Sequence, residues 1–239
     1  NTLHSHDLPM TNPVQRAVEN RISVRRCVGG PPLDDARIQA LIEQATRAPS
    51  AYNMQNWRFI AVRSAEAKAR LQAVAYGQQK VVDAAVAFIV CGTLAAHRQL
   101  AAALQPSVDA GTLPQRTADA WVAQATHAHE GDAQLQRDEA LRSASLAAMT
   151  LMLAAQGEQL GSCAMVGFDA LALHQAFGLA QDEVPVVLVT VGYPAKEQGP
   201  QKPRKAGQEV REIVWARGQM QPGPACPAQT PSSGLFWPL

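Results

Sequence analysis

The sequence predicts a mixed α and β chain in which helices and strands alternate irregularly around a few deeply buried strands. Three observations lead there. Val86 to Cys91 is a continuous apolar run, and Val184 to Val191 is another, ending at Gly192-Tyr193-Pro194; runs of that kind read as strands covered on both faces. Segments of helical period separate them, the longest from Asp138 to Gln159. No glycine-rich phosphate loop follows the first strand, so a Rossmann domain is not expected. A chain of 239 residues can bury a substantial core.

In order, residues 1–12 lack periodicity and read as a loose tail. Residues 13–217 hold the periodic segments, and 218–239 form a Pro-rich tail. Pro13, Val14, Ala17 and Val18 suggest a short amphipathic helix that delivers Arg21. The segment Arg21-Ile22-Ser23-Val24-Arg25 alternates, so Arg21, Ser23 and Arg25 are expected on one face of an extended strand. From the residues alone, a solvated edge strand stays the alternative. Gly29-Gly30-Pro31-Pro32 turns the chain into a helix carrying Leu33, Ile38, Leu41, Ile42 and Ala45, capped by Asp34 or Asp35. Pro49 disfavours helical torsions at Ala48, which ends that helix near Arg47.

Trp57 to Val62 is rich in strand formers, with Trp57, Phe59 and Ala61 on one face. Ser64 can cap the next helix, which turns Ala67, Leu71 and Val74 inward. A Gly77-Gln78-Gln79-Lys80 loop and an Asp83-Ala84-Ala85 strand entry follow. Leu94 to Glu130, broken by Pro106, Gly111 and Pro114, reads as two helices and a loop, the second helix over about 114–129. The Asp138–Gln159 helix has Leu141, Ala144, Ala148, Leu151 and Ala155 on one face, and Met149, Met152 and Leu153 on another. It is apolar nearly all round, which argues burial in a core or against a second copy. Gly161 is expected to stop it. Asp169 caps a short helix closed by Gly178. In the final tail, Leu235, Phe236 and Trp237 are apolar enough to dock.

Composition removes several classes. Net charge is +1, from 21 basic and 20 acidic residues, and aromatics are 5%. That balance offers neither an electrostatic footprint nor stacking platforms for nucleic acid, and none for an anionic membrane. Cys27, Cys91, Cys163 and Cys226 are scattered without zinc spacing. A reduced, cytoplasmic protein is expected, with no metal site; His127 and His129 point apart on a helix. No Arg- or Lys-led apolar segment opens the sequence, so no signal peptide is expected. The apolar part of the longest helix, Ala144 to Ala155, is too short for a membrane span.

Between the second helix and its strand stand Ser50, Tyr52, Asn53, Gln55 and Asn56, a run of donors and acceptors suited to a flat polar ligand. Taken alone, the run could equally be a connection capped by its own Ser and Asn. Together with Arg21-Ile22-Ser23-Val24-Arg25-Arg26, the pattern P-S-x-x-N-x-Q-x-W from Pro49 to Trp57 resembles the FMN-dependent nitroreductase family. Tyr76 to Lys80, Leu160-Gly161 leading into Met165-Val166-Gly167-Phe168-Asp169, and Lys202-Pro203-Arg204 before a strand-like Glu209 to Trp215 extend the likeness. These five motifs, in family order, cover roughly residues 13–215.

The resemblance implies an α+β, nitroreductase-like fold: a central, mostly antiparallel sheet flanked by helices, in an interlocked homodimer with one FMN at each end of its interface. By that likeness Arg21, Lys202 and Arg204 hold the FMN phosphate, with Ile22 beside them. Ser23, Asn53 and Gln55 serve ribityl hydroxyls and ring edges, while Pro49, Ser50 and Ala51 come from the partner subunit. Arg25 and Lys80 approach the pyrimidine end, and Met165, Val166 and Gly167 border the hydride-accepting edge through backbone amides. The implied activity passes electrons from NAD(P)H to nitroaromatics, quinones or a related small acceptor by a ping-pong mechanism. FMN carries the chemistry, so no catalytic side chain is assigned. The alternatives are an offshoot with a dedicated substrate (an enal, a halogenated ring, an azoline) and a flavin-binding protein without turnover. Two positions depart from the family: Asn56 stands where many members have Pro, with loop stiffness the expected consequence, and Val166 where several have Glu.

Overall fold

A computed structural model describes residues 12–213, in two compact units, the first running to Gly199 and the second starting at Pro200. In the first unit, five strands form one antiparallel sheet: β1 (Cys27–Val28), β2 (Trp57–Val62), β3 (Val86–Thr93), β4 (Gly161–Met165) and β5 (Glu183–Pro194). The order is β1-β5-β3-β2, and β4 pairs β5 along Leu188 to Gly192, the edge opposite β3. The predicted core strands are both present. Between them lies a bulge at Val90/Cys91, where Cys91 faces Pro185, a residue without an N–H to donate.

The sheet is packed on both faces because β3 alternates. Val86, Phe88 and Val90 join Leu33, Ile38 and Leu41 and the α7 (Ala133–Gly157) residues Ala144, Ala148 and Leu151. Ala87, Ile89 and Cys91 join Leu71 of α3 (Ala65–Val74), Val81 of α4 (Gln79–Asp83) and Leu173 of α8 (Ala170–Phe177). Burial first, then the Glu183 carboxylate, push the Cys91 thiol up to about 12, so it remains a protonated packing group.

The remaining helices are α1 (Pro13–Asn20), α2 (Asp35–Ala45), α5 (Leu100–Asp109) and α6 (Gln115–His129). Caps fall where the residues place them: Asp34 Oδ1 accepts from the Arg37 N–H, Ser64 Oγ from Ala67 and Asp169 Oδ1 from Ala172. Gly178, at φ 59°, closes α8.

Several expectations are corrected. The Arg21–Arg25 segment is not a strand; it touches β4 through one isolated parallel bridge, Ser23 with Ser162, and only Cys27–Val28 joins β5. Lys80 sits in α4 rather than in a loop, and Asp83 ends that helix instead of opening a strand. Pro106 lies inside α5 and forgoes one helical hydrogen bond there. Helix α7 begins at Ala133, because Asp132 caps it by accepting from the Leu135 N–H. It ends at Gly157, and Gln159 takes the left-handed turn (φ 59°). Gly161 instead opens β4, where a Cβ would strike Val24. In the second unit, a 3-10 turn spans Gly207–Glu209 and no strand follows as far as Ile213. The rest of the expected Glu209–Trp215 strand, most of the N-terminal tail and the apolar C-terminal docking segment lie outside the described residues.

On α7 the core face is Ala140, Ser143, Ala144, Ala147, Ala148, Leu151, Met152 and Ala155. Its other side keeps Leu141, Leu146 and Leu153 half-buried and Met149 exposed. None of the described helices is long and apolar enough to cross a membrane.

Candidate functional site

The connection from α2 to β2 is bent by three residues in left-handed backbone, Tyr52 (φ 52°), Asn53 (φ 58°) and Gln55 (φ 50°), none of them glycine. Such torsions cost roughly 1 kcal/mol or more each and persist only where packing fixes them. Packing does so here. Ala48, Ser50, Ala51, Tyr52, Met54 and Asn56 are buried, and the Tyr52 ring meets Trp121 of α6 edge-on at 6.1 Å. Ser50 Oγ accepts the Gln55 N–H at 2.9 Å, so this hydroxyl already braces its own loop. What the turn leaves outside is Pro49, Asn53 and Gln55. A pocket of about 410 Å³ opens between the loop and α5, lined by Met54, Gln55, Trp57, Thr93, Gln99 and Asp182.

The Asn56 side chain is buried, and its Oδ1 has no hydrogen-bond partner among the described residues. A buried acceptor in that state costs about 1–3 kcal/mol.

A second cluster surrounds β4. The Arg21–Arg25 segment is anchored by Val24, which is buried where Gly161 leaves room and donates its N–H to Ser162 O at 3.0 Å. Arg21 is half-buried at the end of α1, and Ser23 and Arg25 are exposed. From α4, Lys80 Nζ stands 3.5 Å from Cys163 Sγ. From the preceding turn, the Gln78 amide donates to Gly167 O at 2.8 Å, beside an exposed Val166 and a buried Met165. Neither Arg25 nor Lys80 is ion-paired among the described residues. Burial first, then Asp83 and Cys163, raise the Cys27 thiol, while Lys80 opposes the shift, so these four groups share one neighbourhood.

Thus the sheet brings three of the predicted motifs to one place, although as many as 146 positions separate Arg21 from Gly167. Lys202 and Arg204 are exposed in the second unit, where Arg204 Nη1 donates to Lys202 O at 2.9 Å. The Pro49–Gln55 loop is not part of the β4 cluster. It joins the sheet where Trp57 pairs Gly92 and Thr93 donates to Asn56 O. Lys80 leads in at Val86, seven residues back along β3, or about 23 Å at the usual strand rise. Sequence reasoning missed Gln78, Cys163 and Gln198 as partners of these groups, because each acts across the fold and carries no local signal.

Among the described residues, no His, Cys, Asp and Glu group of three or more is arranged to hold a metal. His129 is buried against His97, rings stacked at 5.6 Å, as a packing pair within the Leu94–Glu130 segment.

Residues 18–193 match the nitroreductase family. The chain belongs to that family. YodC of Bacillus subtilis, an NAD(P)H nitroreductase by name, is 32% identical over 187 residues, covering 78% of this chain and 92% of its own. A family structure from Exiguobacterium sibiricum, solved in complex with FMN, superposes with a TM-score of 0.78 at 27% identity, over 90% of this chain and 100% of that one. The CLA biosynthesis enone reductase of Lactiplantibacillus plantarum is 27% identical over 192 residues, 79% of this chain and 88% of its own. The nitroreductase fold, an antiparallel sheet flanked by helices, is therefore the one the resemblance implied.

Proposed function

We propose that this nitroreductase-family chain is an FMN-dependent oxidoreductase that takes electrons from NAD(P)H and passes them to a small acceptor, a nitroaromatic or a quinone. The observation that carries the reading is the gathering of Arg25, Lys80 and the Val166–Gly167 turn around β4, with neither cation ion-paired among the described residues. That donor set fits the group: its cations suit a phosphate and a ring that gains negative charge, and its amides suit the ring edges. FMN, when bound, supplies hydride acceptance from the nicotinamide and its return to the acceptor.

The residues divide the work of holding it. Arg21 grips the phosphate in two places, and the resemblance adds Lys202 and Arg204 to that task. Ser23, Asn53 and Gln55 take hydroxyls and ring edges. Arg25 and Lys80 face the pyrimidine end; one cation about 4 Å from a developing charge is worth roughly 4 kcal/mol at an effective dielectric of 20. The Val166 and Gly167 amides border the reacting edge, and Val166 leaves that edge without a family carboxylate. Donor and acceptor use one place in turn, which is ping-pong kinetics.

The working unit is proposed to be a homodimer. The Pro49–Gln55 loop joins the sheet at the Thr93 end of β3, whereas Lys80 precedes its Val86 end, a separation that supports a site shared between two chains, as the resemblance implies. The half-exposed Leu146, Met149 and Leu153 on α7 supply an apolar face for a second copy. Three free cysteines among the described residues suit a reducing, cytoplasmic setting.

The test is direct. Purified protein should be yellow, carry about one FMN per chain and oxidise NAD(P)H in the presence of a nitroaromatic. Protein that stays colourless after FMN is offered would refute the reading; flavin retained without turnover would favour storage or sensing. Likeness to an enone reductase favours one second reading, an activated alkene as acceptor. A panel of nitroaromatics, quinones and enones offered to prereduced protein separates the two.

A further inference from the structure

Gly199 is an unusual glycine. Its φ lies outside the left-handed region, so no backbone torsion demands it. What demands it is Arg25. A Cβ at position 199 would stand 2.8 Å from Arg25 Cζ and 2.9 and 3.0 Å from its two Nη atoms. Three nearly equal distances place the guanidinium face over the Gly199 Cα. The neighbouring Gln198 fixes the other end of the same arginine. Its Oε1 accepts the Arg25 N–H at 2.9 Å, and its Nε2 donates to Arg26 O at 2.8 Å and Ala195 O at 3.0 Å. Beyond the last β1–β5 pair, Cys27 with Pro194, the Ala195 N–H still reaches Arg26 O at 3.1 Å, and the Gln198 amide adds its bonds to Arg25 and Arg26 where the strand pairing ends.

We propose that Gln198 and Gly199 are positioning residues: Gln198 fixes the Arg25 backbone, Gly199 seats its guanidinium, and together they aim that cation at the pyrimidine end of FMN and raise the flavin's reduction potential. The inference rests on the proposed cofactor role of Arg25. Its physical basis is that a cation on a long side chain acts on a ring only when its rotamers are held, and Arg25 has no carboxylate partner among the described residues to hold it. The seat does that without neutralising the charge.

This arrangement makes the test clean. The atoms that a methyl group at 199 would displace are the far end of a flexible side chain, so Gly199→Ala shifts Arg25 while leaving the fold intact. Wild type, Gly199→Ala, Gln198→Ala, Arg25→Ala and Arg25→Ala/Gly199→Ala are compared by apoprotein melting temperature, FMN titration and the midpoint potential of the bound flavin. Gly199→Ala is expected to melt like wild type, to bind FMN roughly tenfold more weakly, the low end for a charge-assisted hydrogen bond, and to have a more negative potential. In the Arg25→Ala background the same change should have no further effect. Gln198→Ala should move potential and affinity in the same direction. The proposal is overturned if Gly199→Ala keeps wild-type affinity and potential while Arg25→Ala loses both, if the two changes add, or if Gly199→Ala lowers the melting temperature. If Arg25→Ala itself changes neither affinity nor potential, the cofactor role of Arg25 fails, and this inference fails with it.

Discussion

Arg21 and Glu183 show how differently single charges act in this chain. Arg21 ends α1, its N–H bonded to Ala17 O, and stands at the head of the segment that meets β4. Arg21→Ala should weaken FMN binding by about 1.5–3 kcal/mol, or ten- to more than hundredfold, in a titration of apoprotein. Unchanged affinity would make it a surface cation only. Glu183 is instead a structural charge. Its buried carboxylate takes Arg58 Nη1 at 2.6 and 2.7 Å and the Ala180 N–H at 2.8 Å. Burial pushes its pKa up, yet the Arg58 and Ala180 bonds outweigh it, and the net shift is downward. A carboxyl group depressed in the fold contributes stability above its ordinary value near 4.5, and loses it as pH falls through the folded value. Melting temperatures of wild type and Glu183→Gln should therefore differ at pH 7 and converge below about pH 4.5. A constant gap across that range would mean the pair contributes through packing alone.

At the scale of elements, close approach between helix and sheet decides what can be changed. Gly92 of β3 lies against the Ala140 backbone of α7, where a Cβ would overlap the carbonyl. The obstructing atoms belong to a helix, not to a mobile side chain. Gly92→Ala should cost about 1–3 kcal/mol or more, seen as a lower urea midpoint with an unchanged slope. An unchanged midpoint would show that α7 shifts freely on the sheet.

The same scale explains what the sequence revealed. Strands β2, β3 and β5, the caps at Asp34, Ser64 and Asp169, and α6 were all readable, because apolar runs and capping side chains act locally. Strand β4 was not. Gly161-Ser162-Cys163-Ala164-Met165 holds no β-branched or aromatic residue, and it becomes a strand only because β5 offers a free edge. Arg21–Arg25 erred in the other direction: it alternates as a strand should, but its only bridge among the described residues is the isolated one from Ser23 to Ser162. Arg21, Arg25 and Lys80 could be named from the motif, yet their holders could not. Gln198 reaches Arg25 across 173 residues and Cys163 reaches Lys80 across 83, and no periodicity records such pairs.

For the whole molecule the expected working unit is two chains. Light scattering of flavin-loaded protein should give about twice the 25.6 kDa chain mass. Obligate interfaces often bury more than about 2,000 Å², so dilution should reduce dimer content and flavin retention together. A monomer that keeps its flavin and turns over would refute the shared site.

The distance along β3 between the Pro49–Gln55 loop and Lys80 has a genetic consequence. If each site draws its loop from one chain and its cations from the other, the two kinds of damage belong to different complementation groups. A chain crippled at Asn53 and Gln55 and a chain crippled at Arg21 are each inactive as homodimers. Mixed, they form a dimer in which both lesions fall on the same site and the opposite site is wholly wild type. Co-expressing the two defective genes should therefore restore activity, up to one working site in every mixed dimer.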